Sequence, residues 1–552
     1  MSGSFEFVDG AEFEAAAIVL GIPHPPGYPF HILLLKALSA LPLGSVTVRM
    51  GLAGPLAGAA CVTFAAALAR RQGTGKAGIL LAALLATSPL FWLQTAGVKG
   101  AIYVALCACI TAGFIILSDG GPRLLPLAGL LTGFAMAVQA QGGVILGLAL
   151  VAGIAVESGL RRSVRLRTAM MGVWFCAAGV GLYLALPVMA ALRPLVQWGE
   201  WSTFSGVLEV ARWGFGAAAN KHGVSPWSAD YQYRWAILGL AAVAVLGNLI
   251  GLVSGRRRGL HLAALLISLA VFFLLVPLDT LAPFVQHGLP LFACALAGVL
   301  GVTALAGVRY QGGVMAGALA LAATLALPSL IRLGPPNLSR LFLGDDLARN
   351  LLSSLPPGRS LLLGFGDFAY DAIVFRQTVL GDRSEVPVVR VTMAAVRAHG
   401  DHFGELRRLH PWLVLPPSMD MKGDPRDLVG SAVLAVQPSG LRVFADPGFI
   451  PVAGRLPRTL SRGYAPWGML SAMGGRPGDP RSLERVLRLR WRGVWDLGWQ
   501  SDRWTRFVPL LYASALQSAL RRPVLAGRRD AAVSRGMRAF DLLMRVPGEP
   551  SR

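Results

Sequence analysis

The chain has 552 residues, of which 54% are hydrophobic and 14% charged, with a formal net charge of +22. This balance excludes a disordered chain and does not suit an ordinary soluble enzyme; it is that of a polytopic membrane protein. The excess of Arg and Lys does not point to nucleic acid, because no nucleic-acid motif accompanies it; the basic residues lie in short loops between apolar runs and in the C-terminal region, where a basic face suits anionic membrane lipid.

The chain opens on "VDGAEFEAAAIVLGIPHPPGYPF" (Val8–Phe30), with Asp9, Glu12 and Glu14 upstream of a proline-rich turn. Residues 1–45 are expected to form a first outward loop. No basic segment followed by an apolar one marks a signal peptide. About ten apolar runs long enough to cross a bilayer follow, near 46–70, 77–95, 98–118, 122–139, 143–157, 168–191, 235–253, 261–277, 284–306 and 312–332. The 122–157 region is interrupted by Gln139, Gln141, Gly142 and Gly143 and has the pattern of a broken hairpin. The loops richest in Arg and Lys are "ARRQGTGK" (Ala69–Lys76), "RRSVRLR" (Arg161–Arg167) and "SGRRRGLH" (Ser254–His261). All three fall on one side of the span count, which the positive-inside rule makes the cytoplasm. The opening acidic stretch, a Trp-rich loop at 192–234 and the C-terminal region then face outward.

Composition changes at "RLGPPNLSRLFLGDDLARN" (Arg332–Asn350), beyond which charges are frequent and apolar runs short. "RSLLLGFGDFAYDAIVFRQTVLGDRSEVPVVRVTM" (Arg359–Met393) has the pattern strand, turn, helix, turn, strand, with Asp367 as the helix cap. "HPWLVLPP" and "GLRVFADPGFIPV" add strand-like runs, and the last part is helical and Arg-rich. The expected architecture is a multi-span α-helical membrane domain over 1–334 followed by an extracytoplasmic α/β domain over 335–552, of a size to hold its own core. The five cysteines, Cys61, Cys107, Cys109, Cys176 and Cys294, lie in apolar runs without metal-site partners, so no disulfide framework, metal site or cofactor is indicated.

Several groups carry chemistry. Prolines 23, 25, 26 and 29 fix the backbone around Gly27, and a segment locked in this way holds a neighbouring carboxylate at a set position. The locked segment is either a functional loop or a structural lead-in turn. A carboxylate at the mouth of a membrane cleft is a candidate general base, and this makes Asp9 and Glu12 the acidic candidates. Glu14 reads as a solvated charge of the headgroup region. His24 is a ligand, a base or a structural hydrogen-bonder. Arg193, Arg212, Lys221 and Arg234 sit in or beside the third large outward loop and suit phosphate. Trp198, Trp201, Trp213 and Trp227 either stack on sugar or form an interfacial belt. Asp279 and His287 share a short outward loop.

"DGAEF…LGIPHPPGYPFHILLLKALSALPLGSVTVRMGL" resembles the first outward loop of a family of bacterial and animal membrane proteins, long without an assigned function. That family includes a transmembrane protein O-mannosyltransferase and looks like a GT-C group of glycosyltransferases. Asp9, Glu12, Leu20, Gly21 and His24–Pro29 match its pattern. "SPLFWLQTAGVKGAIYVAL" (Ser88–Leu106), "VQWGEWSTFSGVLEVARWG" (Val196–Gly214) and "LLLGFGDFAYDAIVFRQTVLGDRSEVPVV" (Leu361–Val389) are similar to later stretches of the family, in the same order. The chain departs from the pattern where Lys99 and Gly100 stand in place of a Glu, and where Gln139 and Gln141 stand in place of His. About eight residues precede Asp9, too few to cross a bilayer, so the chain is expected to lack the family's first transmembrane helix.

The resemblance implies a GT-C-type enzyme of the inner (plasma) membrane, taking a mannose-like sugar from a polyprenyl-phosphate carrier to an extracytoplasmic acceptor such as a protein Ser/Thr hydroxyl or a glycan. It places Asp9 as the catalytic Asp, orienting or deprotonating the acceptor hydroxyl, with Glu12 second. His24, Tyr28, Lys99, Arg193, Trp198 and Arg212 are the expected substrate- and carrier-binding residues, with no metal. The competing readings are a transporter or flippase-like protein, and a non-catalytic membrane scaffold. The first is disfavoured because no charged residue lies deep in a predicted span.

Reporter fusions test the topology. Those at Arg162 and Arg257 are expected to report cytoplasm and one at Ser353 the outside; Arg257 and Ser353 on one side of the membrane would overturn the assignment.

Overall fold

The computed structural model describes residues 9–72, 89–119, 125–157, 162–199, 234–253, 257–271, 293–298, 343–364, 367–391, 402–415, 441–447, 465–473, 479–489, 507–525 and 530–544, with a few single positions between them. The chain divides into two compact units, one of residues 25–188 and 211–337, the other of 2–24, 189–210 and 338–552. Packing therefore joins parts of both expected outward loops to the C-terminal segment.

Part of the expected first outward loop is helical. Residues Asp9–Val19 form helix α1. Ala15, Ala16 and Ala17 are strong helix formers, and Asp9 and Glu12 place negative charge in the first turn, where the helix dipole favours it. The proline-rich turn that follows, not the acidic stretch, is the irregular part.

The first unit is helical: α2 (Pro29–Ser39), α3 (Val46–Gly51), α4 (Ala53–Arg71), α5 (Pro89–Thr95), α6 (Gly100–Asp119), α7 (Leu125–Val138), α8 (Ala140–Glu157), α9 (Arg162–Val180), the start of α10 (Ala185–Ala191), α11 (Arg234–Val253) and α12 (Arg258–Ala270). Among the described residues, three helical stretches, Val46–Arg71, Gly100–Ser118 and Met170–Ala191, are long and apolar enough to cross a membrane. Leu125–Val138, Ala140–Val156, Ala241–Val253 and Arg258–Ala270 are shorter apolar helices. The chain is thus a polytopic helical protein at the level these helices define. The runs expected near 284–306 and 312–332 lie mostly or wholly outside the described residues.

The break in the 122–157 region is real. Helix α7 stops at Val138 and α8 starts at Ala140, with the Gln139 side-chain oxygen accepting the backbone N–H of Gly142. Small residues let backbones meet elsewhere in this unit. A Cβ at Gly129 would lie 2.0 Å from the carbonyl oxygen of Gly172, and one at Gly133 would lie 2.1 Å from that of Cys176. The pair Gly129 and Gly133 is a GxxxG spacing, used here to seat α7 on α9 where lipid gives no hydrophobic drive for helices to associate. Arg257, from the third basic loop, donates to the carbonyls of Ser118 and Arg71, at the ends of α6 and α4. It therefore satisfies two helix C-termini as well as carrying charge. The five cysteines are free thiols.

The second unit holds α1, helices α13 (Leu343–Ser354), α14 (Asp367–Leu380), α15 (His402–Leu409), α16 (Ser482–Leu487), α17 (Phe507–Leu525) and α18 (Ala531–Met544), and one sheet. Its strands are β1 (Ser360–Gly364), β2 (Val388–Arg390), β3 (Arg442–Ala445), β4 (Ala465–Trp467) and β5 (Leu470–Ala472), in the order β2-β1-β3-β5-β4. The first three are parallel, with Gly364 opposite Arg390 and Leu363 opposite Ala445; β3, β5 and β4 pair antiparallel. The strand, helix, strand pattern of 359–393 is thus present as β1, α14 and β2. Every residue of β1 is buried, as a parallel strand covered on both faces requires. Leu361, Leu363, Val389 and Val443 form a core with Phe403 and Leu406 of α15. Within "HPWLVLPP" the described residues 410–415 form no strand; Leu413 and Leu415 enter that same core from irregular backbone.

Filling the α7–α9 contact tests its role. Gly133→Val is expected to lower the melting temperature of the detergent-solubilised protein by several degrees, whereas Leu127→Ala on an exposed position of α7 leaves it nearly unchanged. Equal melting temperatures for Gly133→Val and wild type would show that the helices need no close backbone approach.

Candidate active site

Asp9 and Glu12 stand three residues apart on the first turn of α1, so they share one helix face. Their surroundings differ. Asp9 is half-buried at the helix start, whereas Glu12 is 3% exposed. The helix ends at Leu20, which takes a left-handed conformation, and Gly21 then donates to the carbonyl of Ala16 at 2.7 Å. A Cβ on Gly21 would lie 2.2 Å from the carbonyl oxygen of Val196. That close approach lets Ile22 pair with the Val196–Trp198 strip: its N–H donates to Val196 at 2.8 Å, and its carbonyl accepts from Trp198 at 2.9 Å. The Leu-Gly-Ile motif is thus a backbone dock for the segment that carries Trp198.

The turn brings His24 back to α1. Its Nδ1 lies 2.6 Å from Glu12 Oε2, and its ring sits 5.4 Å from that of Phe13. The second oxygen of Glu12 faces Arg390, at the carboxyl end of β2. Arg390 Nη1 is 3.5 Å from Glu12 Oε1 and 3.4 Å from Asp371 Oδ1 of α14. Its guanidinium carbon lies 4.4 Å from the ring centroid of Trp198 and 5.0 Å from that of Tyr370. Glu12, Asp371 and Arg390 are all buried. A cation so enclosed persists because two carboxylates and two aromatic faces replace its water.

His402 completes the cluster. Its Nε2 accepts the backbone N–H of Arg390 at 3.0 Å, and its ring meets Tyr370 edge to face. Burial, and then the charge of Arg390, push its pKa down to about 3, so the ring is neutral and can accept. Burial pushes the Tyr370 phenol up, which keeps it protonated.

The remaining predicted positions are dispersed. Tyr28 is half-buried at φ 45° and precedes α2 in the first unit; Lys99, also half-buried in that unit, lies in the turn before α6. Arg193 is exposed, and its carbonyl accepts from Arg408 at 2.8 Å. Arg212, Lys221, Trp213, Trp227, Asp279 and His287 lie outside the described residues. Glu14 corrects its reading as a solvated charge, being fully buried in α1. Trp198 and Trp201 are buried rather than ranged along a surface belt; Trp201 donates to the carbonyl of Trp198 at 2.6 Å. Among the described residues, no group of three or more His, Cys, Asp or Glu is placed to hold a metal ion.

Arg390, Asp371, Tyr370 and His402 were not singled out from the sequence. A signal existed for two of them. Arg390 interrupts the valine run "VPVVRV", and Asp371 interrupts the apolar run "FAYDAIVF". A charge inside a pattern that predicts burial marks a paired charge.

The neutral His402 predicts a pH dependence. Its native pKa lies below the ordinary 6.5, so its contribution to stability is present above about pH 6.5 and fades as pH falls toward about 3. On moving from pH 7 to pH 4, wild type is expected to lose more thermal stability than His402→Gln, whose amide also accepts from Arg390. Parallel losses would show that His402 is not neutral in the native state.

Residues 9–151 match the family profile described as Protein O-mannosyl-transferase TMEM260 N-terminal domain. The chain is 32% identical over 112 residues to the mouse (Mus musculus) Protein O-mannosyl-transferase TMEM260; the match spans 19% of this chain and 16% of that protein. Among solved structures, ArnT from Cupriavidus metallidurans in the apo state is similar with a TM-score of 0.48 and 14% identity, over 86% of this chain and 95% of that one. The same protein bound to undecaprenyl phosphate gives a TM-score of 0.48 at 15% identity, over 81% and 87%. The Archaeoglobus fulgidus oligosaccharyltransferase in the apo form gives 0.43 at 13% identity, over 69% and 60%. The profile match begins at Asp9 and takes in Glu12, Leu20, Gly21 and His24–Pro29, so the similarity to the Protein O-mannosyl-transferase TMEM260 N-terminal domain covers residues 9–151, about a quarter of the chain.

Proposed function

We propose that the chain is a GT-C-type glycosyltransferase, moving a mannose-like sugar from a polyprenyl-phosphate carrier to an extracytoplasmic acceptor such as a protein Ser/Thr hydroxyl. The observation that carries this reading is the pair of acids in the first turn of α1, inside the matched region: Glu12 is buried against His24 and Arg390, while Asp9, three residues earlier, is half-buried. On this reading the protein sits in the inner (plasma) membrane with its C-terminal segment outside.

The reaction is an inverting displacement. The acceptor oxygen attacks the anomeric carbon and passes its proton to the Asp9 carboxylate. The bond from the anomeric carbon to the carrier oxygen breaks, and polyprenyl phosphate leaves with the electron pair. Asp9 is the base on this reading because it matches the family motif and is half-buried rather than enclosed. Lys99, Arg193 and Arg212 are the candidates for the carrier phosphate; Lys99 would act as a point charge. Trp198, set against Arg390, supports the acidic turn instead of stacking on sugar.

Replacing the base tests the reading. In membranes holding the full-length protein, Asp9→Asn is expected to cut sugar transfer from a polyprenyl-phosphate-mannose donor to a Ser/Thr peptide by about 100-fold or more. The variant keeps side-chain size, so the melting temperature should barely move. Transfer by Asp9→Asn at the wild-type rate would remove Asp9 from the chemistry, and a wild-type protein inert toward every polyprenyl-phosphate sugar would remove the transferase reading itself.

A further inference from the structure

We infer that Arg390, contributed by a strand of the C-terminal segment, is the positioning residue of the acidic turn: it holds Glu12 in place, and through Glu12 it sets where Asp9 stands. The inference deepens the transferase reading and rests on it for the chemical consequence, but the anchoring is a property of the fold.

Glu12 has two holds of different kinds. His24 lies 12 residues away, on the turn that follows the same helix, and is 25% exposed. Arg390 lies 378 residues away and is 3% exposed. The His24 contact closes a short loop and constrains only the local chain. The Arg390 contact fixes α1 against the sheet of its unit, since Arg390 is itself set by the β1–β2 ladder and by His402 on its backbone N–H. Asp9 shares the helix face of Glu12, so tethering the Glu12 carboxylate fixes both the axial position and the rotation of the turn that carries Asp9.

The enclosure explains why this cation is arginine. Its rings, Trp198 and Tyr370, lie 4.4 and 5.0 Å away, and its Nη1 faces two carboxylates. A planar guanidinium offers faces to the rings and N–H groups to the carboxylates at once; an ammonium offers only a point charge. The same enclosure leaves little of Arg390 for a substrate to touch. With its faces and its inner nitrogen committed, and only 3% of its side chain exposed, it acts through Glu12. A base misplaced by about 1 Å loses on the order of 100-fold in rate, which is the scale on which loss of this anchor should register.

The test uses the full-length protein in lipid nanodiscs, with Arg390→Met, Arg390→Lys, Glu12→Gln and the double variant Glu12→Gln/Arg390→Met. Two readouts are taken: transfer from polyprenyl-phosphate-mannose to a Ser/Thr peptide, and amide hydrogen exchange. Arg390→Met is expected to lower kcat by about 10- to 100-fold while KM for the donor stays within about twofold. Arg390→Lys should recover part of the loss, and the double variant should be no worse than Arg390→Met, because both changes cut one tether. Exchange at residues 9–20 should accelerate while β1 amides at 361–363 keep wild-type protection.

An unchanged kcat in Arg390→Met, with Asp9→Asn inactive, would overturn the positioning role and leave the transferase reading standing. Exchange that rises equally in β1 and α1 would reduce Arg390 to a general fold staple and overturn the inference. If wild type transfers no sugar, the transferase reading fails and the contrast in exchange alone decides whether Arg390 anchors α1. Should Arg390→Met fail to fold, the same criteria apply to Arg390→Lys, which keeps the charge but loses the fork.

Discussion

A guanidinium buried beside two carboxylates is stable only as a set. Removing either carboxylate from such a group typically costs about 3–5 kcal/mol, because an unpaired charge is left behind. Arg390 imposes that condition on the second unit. It requires Glu12 from α1, Tyr370 and Asp371 from α14, and the ring of Trp198, and so demands that three separate stretches of the chain meet β2. His402 adds a neutral acceptor behind it, and that neutrality follows from the same burial that makes the cation costly. The acidic turn is placed by this demand more than by any propensity of its own.

Glycine supplies a second kind of constraint. At Gly21, Gly129 and Gly133 a single methyl group would sit about 2 Å from a carbonyl oxygen of another segment. The three positions do different jobs. Gly21 admits the Val196–Trp198 strip and so delivers Trp198 to the face of Arg390. Gly129 and Gly133 seat α7 on α9 among apolar surfaces that have no other reason to associate in lipid. In both places the residue is chosen for what it leaves out.

The two acids of the first turn show how one local motif yields unlike groups. Each stands at a helix start, where negative charge is favoured. Three residues of spacing put them on one face, but depth separates them: Glu12 reaches Arg390 and His24, and Asp9 retains contact with the surroundings. The same local motif thus gives one buried carboxylate and one that is half-buried. The match of residues 9–151 to an O-mannosyltransferase domain gives that arrangement its chemical context.

Composition and hydropathy by themselves determined that the chain is a helical membrane protein with a later α/β segment, because lipid admits few backbone solutions and a parallel strand buried on both faces writes a continuous apolar run. The Gln-Gly-Gly interruption at 139–143 and the strand–helix–strand at 359–393 were legible for the same local reasons. The Leu-Gly-Ile and His-Pro-Pro-Gly-Tyr-Pro motifs marked where the backbone turns after α1. Only the tertiary structure decided that Asp9–Val19 is a buried helix, that Glu14 is enclosed, and that Trp198 lies against Arg390. Those outcomes depend on pairing across hundreds of residues, and no local pattern of residues 9–24 records which cation, 378 positions later, will neutralise Glu12.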